Sequence, residues 1–248
     1  MTIELHSIET LLRRIVSAVE KTITEDVPQE RREKADMEST NYLAHFRGDR
    51  LNTNLRKMVA VDRIELHSFK RHGWDGRILI DRDNLLTVGV TTQGNLRTIP
   101  KKKDRTCPNY MQTLLNVLNG DLKNATAQLS MFPLASQFDD KTYAKDFENI
   151  MAGVLDPTAG FHHYIVGYAA RYDEIRSITL YLLDAHFNVV EEHDLREFIK
   201  PDISHLTMQS KGTAASTPSK SNARSLVKLK AKPGVRPALK KENREKKA

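Results

Sequence analysis

Residues 164–183 constrain the fold of this chain more than any other stretch. Tyr164, Val166, Tyr168 and Ala170 alternate with Ile165, Gly167 and Ala169, and Ile175, Ile178, Leu180, Leu182 and Leu183 follow after a polar break. A period of two sends successive side chains to opposite faces of a strand, so the pattern predicts an antiparallel strand pair. Asp156-Pro157-Thr158-Ala159-Gly160 is the turn that introduces it. Asp184-Ala185-His186-Phe187-Asn188 is a second turn, leading into Val189-Val190.

A second β region precedes it. Ile64, Leu66 and Ser68 alternate with Glu65, His67 and Phe69, and Gly73-Trp74-Asp75-Gly76 turns the chain. Residues 77–81 and 85–90 then flank Arg82-Asp83-Asn84, which reads as a tight hairpin. The expectation here is a three-stranded meander.

Helical periodicity surrounds these regions. Leu5, Ile8, Leu12, Ile15 and Val19 recur at spacings of three and four, which predicts a helix over residues 3–24 with Pro28 marking its end. That stripe suits either the chain's own core or a seam for a partner or a second copy. Residues 29–58 read as helical in pieces, with Gly48 an interruption. Asn109 precedes a helix carrying Met111, Leu114, Leu115 and Leu118, and Asp139 or Asp140 one through Tyr143, Phe147 and Ile150. The segment around Pro133 looks irregular, and residues 194–199 read as a short closing helix. Strand regions separated by helices predict an α+β fold: one domain over residues 1–205, with an antiparallel hairpin and meander sheet packed by helices.

After about His205 the composition shifts to Ser, Thr, Ala, Pro, Lys and Arg, with no aromatic residue beyond Phe198. Such a segment buries too little apolar surface to offset the entropy of ordering, so residues 206–248 are expected to form a disordered basic tail. Charge follows the same boundary. The whole chain carries a formal +7, but twelve Lys and Arg against two Glu lie from Gln209 onward, so that segment carries +10 and residues 1–208 carry −3. The tail resembles the basic arms of histone-like proteins in composition. Lys and Arg strung along a flexible chain can follow a phosphate backbone and release its counterions.

A second basic cluster, Arg97, Lys101, Lys102, Lys103 and Arg105, falls in a stretch, residues 91–108, that reads as a loop between sheet and helix, with Tyr110 nearby as a stacking surface. The expected function is accordingly nucleic-acid association, DNA or RNA, without enzyme chemistry. The contact set is that cluster together with Lys228, Lys230, Lys232, Arg236, Lys240 and Lys241 of the tail. Two alternatives stand beside it: a divergent metal-dependent nuclease using Asp75, Asp81 and Asp83, and a protein interaction module or inhibitor using the N-terminal stripe.

Other chemistry finds little support. Asp75, Asp81 and Asp83 lie around a strand hairpin, but the acid-x-Lys element of metal nucleases is missing where Leu86, Thr87 and Val88 stand. His162, His163, His186 and His193 cluster near Asp184 and Asp194 without a metal-ligand spacing, and read as strand-edge or capping residues. No nucleophile elbow, phosphate-binding loop or dinucleotide fingerprint is present. No cofactor is expected. The single Cys107 points to a reducing compartment, and neither a secretory signal nor an apolar run of membrane-spanning length is evident, so the expected location is the cytoplasm.

Overall fold

The computed structural model describes residues 4–71, 73–102, 105–122 and 138–199. The expected disordered tail and the segment around Pro133 lie outside these residues.

Helix α1 (Leu5–Glu20) buries Ile8, Leu11, Leu12, Ile15, Val16, Ala18 and Val19, the expected stripe widened by Leu11, Val16 and Ala18, while Leu5 stays exposed. The helix does not end at Pro28. It continues through a π-helical turn (Lys21–Asp26) into α2 (Val27–Glu33), with Pro28 in the first turn of α2, a position that tolerates proline. The π turn coincides with a buried polar cluster. Asp26 accepts hydrogen bonds from Arg50 Nη2 at 3.0 Å and Asn54 Nδ2 at 2.7 Å, and Asn54 also donates to Thr22 Oγ1 at 2.9 Å. These bonds tie α1 and its extension to α3 (Tyr42–Met58), which runs unbroken through Gly48 instead of stopping there.

Both expected β regions form, and they join into one six-stranded sheet in chain order. Strands β1 (Ile64–Arg71), β2 (Trp74–Asp81) and β3 (Leu86–Thr92) are an antiparallel meander. So are β4 (His162–Arg171), β5 (Glu174–Leu183) and β6 (Val189–Asp194). The two meanders meet through a parallel pairing of β3 with β4, Leu86 opposite His162 through Thr92 opposite Tyr168. A parallel join needs a crossover, and the chain between these strands supplies it with α4 (Gln93–Thr98), a 3₁₀ turn (Ile99–Lys101), α5 (Tyr110–Leu118) and α6 (Asp140–Met151).

Helices cover both faces of the sheet. Leu79, Leu86, Val88, Tyr164, Val166, Leu180 and Leu182 share a core with α1 and α3. Their neighbours Ile78 and Ile80 pack with α5 and α6, and Ile165 and Leu183 with Met111 and Leu115 of α5. The α1 stripe is therefore covered by this chain's own sheet. The closing helix is only a 3₁₀ turn (Arg196–Phe198), because β6 holds the chain extended to Asp194 and the Asp194 carboxylate accepts from Arg196 N at 2.9 Å.

Buried Asn119, just after α5, fastens the crossover. Its Nδ2 donates to the carbonyls of His163 and Leu183 at 2.9 and 2.7 Å, and its Oδ1 accepts from His163 N at 2.7 Å. Asn119→Ala strands these backbone groups without partners and is expected to cost about 3 kcal/mol, read as a lower urea midpoint with an unchanged slope.

Asp26 gives the fold a pH signature. Burial alone would raise its pKa, but hydrogen bonds from Arg50 and Asn54 and the charges of Arg50 and Lys21 outweigh that and hold it below the ordinary 3.8. A depressed folded-state pKa contributes stability that is present above the unfolded value and lost as pH falls through the folded one. The stability advantage of the native chain over Asp26→Asn is expected to be largest near neutrality and to shrink below about pH 4, measured by urea unfolding across that range.

Candidate functional site

Where β2 and β3 separate, the sheet opens a cleft. Their ladder is confined to Leu79 opposite Val88, Ile80 opposite Thr87 and Asp81 opposite Leu86. The start of β2 and the end of β3 are not paired with one another, and a cavity of about 870 Å³ lies there. One wall is α3, through Ala44, Arg47, Gly48 and Leu51, which recur at helical spacing. The other is formed by residues of the 95–102 and 105–111 stretches, and Val90, Thr91 and Thr92 of β3, Arg71, Trp74 and Tyr168 also line the cavity. The site sits at the carboxyl end of β3, where the crossover leaves the sheet, a usual location for ligands in sheets with parallel strands.

Cations dominate this lining. Arg47, Arg71, Lys102 and Arg105 are there against one carboxylate, Asp49. Arg71 is engaged structurally, pairing with Asp146 at 2.9 Å and donating to Pro108 O at 2.5 Å; Thr113 Oγ1 donates to the same Asp146 carboxylate. Arg105 donates to Ile99 O at 3.0 Å, and among the described residues it has no ion-pair partner. Among the described residues neither Arg47 nor Lys102 has an ion-pair partner, and Arg47 Nε is buried without a hydrogen-bond partner. An unpaired guanidinium in a cleft wall favours an anionic ligand. Burial pushes the Tyr168 hydroxyl pKa up, with the Arg47 charge opposing.

An aromatic group stands at the same cleft. Trp74 lies 5.2 Å from Tyr110 and 5.8 Å from Phe69, ring centre to ring centre, and is still 48% exposed. Phe69 can approach the strand because its cross-strand neighbour is Gly76, where an added Cβ would come within 2.1 Å of the Phe69 ring.

The expected basic loop is partly helical. Thr92 caps α4, its side chain accepting from Asn95 N at 3.2 Å, and buried Ile99 anchors the 3₁₀ turn that follows. Lys102 and Arg105 line the cleft together with Tyr110. Arg97 sits exposed on α4 outside the lining, Lys101 belongs to the 3₁₀ turn, and Lys103 lies outside the described residues. Lys228, Lys230, Lys232, Arg236, Lys240 and Lys241 also lie outside them. Sequence reading missed Arg47, Arg71 and Trp74. The available signal was Ala44, Arg47, Gly48 and Leu51 on one helical face, small residues beside a cation.

The carboxylates of the nuclease alternative are not brought together. Asp75 lies near the start of β2 and Asp81 at its end. Asp81 caps a turn, accepting from Asp83 N, Asn84 N and Asn84 Nδ2 at 3.1, 3.2 and 2.8 Å, while Asp83 pairs with Arg63 at 2.6 Å. Among the described residues no group of three or more His, Cys, Asp or Glu could hold a metal ion. His163 is neither a strand-edge nor a capping residue: it is fully buried on β4 beside Thr87 Oγ1 at 2.8 Å, and burial drives its pKa down to about 3. Asp184 orders its turn by accepting from His186 N and Asn188 N.

The family model described as "Family of unknown function (DUF5986)" matches residues 5–247. No curated protein and no solved structure matches the chain.

Gly48 is helical, and a Cβ there would meet nothing within 4 Å. Gly48→Ala is therefore expected to stabilise the fold by about 1 kcal/mol, seen in thermal unfolding as a rise in Tm of about 3 °C.

Proposed function

We propose that this chain, which belongs to the family of unknown function DUF5986, binds nucleic acid through the cleft between α3 and the α4–α5 segment. The observation that carries this reading is the pair of cations that have no acidic partner among the described residues, Arg47 and Lys102, in the same lining as the half-exposed Trp74. Phosphates supply the counter-charge to these cations, and bases supply faces for the rings. Arg105 adds a third contact and Arg71 a structural one. The +10 segment from Gln209 onward lies within the family match and adds phosphate contacts of no sequence preference. Two weak contacts to one strand reinforce each other through effective concentration. The proposed role is binding, carried by the cations and rings of the lining.

Fluorescent DNA and RNA oligonucleotides titrated into the full chain and into a chain ending at His205, across a salt series, test the proposal. Affinity is expected to fall steeply with salt and to weaken on loss of the tail. Replacing Arg47 and Lys102 together with Ala is expected to weaken binding on the order of tenfold and to flatten the logarithmic salt slope by roughly 0.7 per lost phosphate contact. Gly48→Phe, which projects a ring into the open cleft, is expected to block binding while the fold survives. Equal affinity of both chains with equal salt slopes would remove the tail's role, and absence of binding by either would turn the search to a protein partner.

A further inference from the structure

We infer that the cleft takes an unpaired strand, with one base stacked on Trp74 and the adjoining phosphates on Arg47 and Lys102. The inference rests on the nucleic-acid reading and narrows it to single strands.

Three observations carry it. The first is the exposure of Trp74. Tryptophan gains more from burial than nearly any other side chain, yet this one keeps 48% of its surface exposed while lining a cavity. The second is its rigidity. Trp74 stands directly across from Arg71 in the β1–β2 ladder, meets Phe69 edge to face and lies at 36° to Tyr110. Phe69 in turn is seated over Gly76, a position that no larger residue could share with it. A ring so held loses little freedom when a ligand stacks on it. The third is the arrangement of charge, with cations on α3 and on the segment after the 3₁₀ turn lining the same cavity as the ring.

A double helix does not use these features. Its bases already lie between neighbours and offer only edges, whereas an unpaired base presents a face to an aromatic ring. Duplex phosphates could still meet Arg47 and Lys102, but Trp74 would contribute nothing. The cavity of about 870 Å³ is of the size that encloses small ligands, which suits a nucleotide or two entering from a strand. DNA and RNA share this chemistry, so both enter the test.

Trp74 is the one tryptophan in the chain, so intrinsic fluorescence reports on the ring alone. The experiment titrates the full chain with oligo-dT, with oligo-U, with a DNA duplex and with inorganic polyphosphate. Saturable quenching by a single strand, with little from duplex or polyphosphate, is the expected result, and the stronger of oligo-dT and oligo-U identifies the natural strand. In parallel, anisotropy of labelled oligonucleotides is expected to show Trp74→Leu binding single strands on the order of tenfold more weakly. Polyphosphate should bind this variant as it binds the native chain, and Trp74→Tyr should restore most of the affinity. Circular dichroism of both variants reports whether the fold is kept, and the fluorescence titration of the native chain carries the test if Trp74→Leu unfolds. If oligonucleotides bind with steep salt dependence but the fluorescence does not change and Trp74→Leu binds equally, stacking is overturned and the phosphate reading stands. Equal quenching by duplex overturns the preference for single strands. Absence of all binding overturns both.

Discussion

The parallel pairing of β3 with β4 is the constraint on which the rest of the molecule depends. Each meander closes by short turns and could form from local sequence, but parallel neighbours cannot be joined by a turn. The chain must leave the carboxyl end of β3, travel over one face and return to the amino end of β4. Helices α5 and α6 ride on that return and bury Ile78, Ile80 and Ile165, which an open meander would leave wet. With α1 and α3 on the opposite face, the central strands are buried on both sides. This explains why residues 78–80 and 164–166 read as continuous apolar runs as much as alternating ones. Asn119 holds the return in place by pairing with the backbone of β4 and β5, a junction that the strand ladder alone leaves unsatisfied.

The cleft is a by-product of the same topology. β2 follows β3 for only a short ladder, because β3 continues beside β4 while β2 continues beside β1. Past Leu79 and Val88 strands β2 and β3 part, and whatever leaves or borders the sheet there lines the gap: the exit of β3, Arg71 and Trp74 where β1 ends and β2 begins, and α3. Position thus assembles Arg47, Arg71, Trp74, Lys102 and Arg105 from separate parts of the chain.

That explains what was legible in the sequence. Strand alternation located both meanders, and the polar caps Asn109 and Asp139 located two helices, because each is a local signal; their side chains accept from Met111 N and Thr142 N as caps should. The failures were places where tertiary packing overrode a local rule. Pro28 and Gly48 were read as breaks, but Pro28 falls in a first turn and Gly48 sits on a helix whose far half is anchored by Leu51, Asn54 and Leu55. The basic segment after β3 was found as composition, yet only Lys102 and Arg105 among its described members line the cleft, since a helical turn carries Arg97 elsewhere. Arg47 carried only the helical spacing it shares with Ala44, Gly48 and Leu51, and its proximity to Trp74 comes from the topology and has no counterpart in spacing.

Charge makes a final point about scale. Residues 1–208 carry a net −3, which would argue against a polyanionic ligand if net charge decided the matter. It does not. At physiological salt the screening length is about 8 Å, so a phosphate in the cleft interacts chiefly with the residues that line it, and those are four cations and one carboxylate. Many acids elsewhere are occupied locally, among them Asp26 with Arg50, Glu65 with Arg82, Asp83 with Arg63 and Asp194 with Arg196. Within the lining, Arg47 and Lys102 have no ion-pair partner among the described residues, so for the ligand proposed above it is the local excess, not the sum over the chain, that decides the electrostatics.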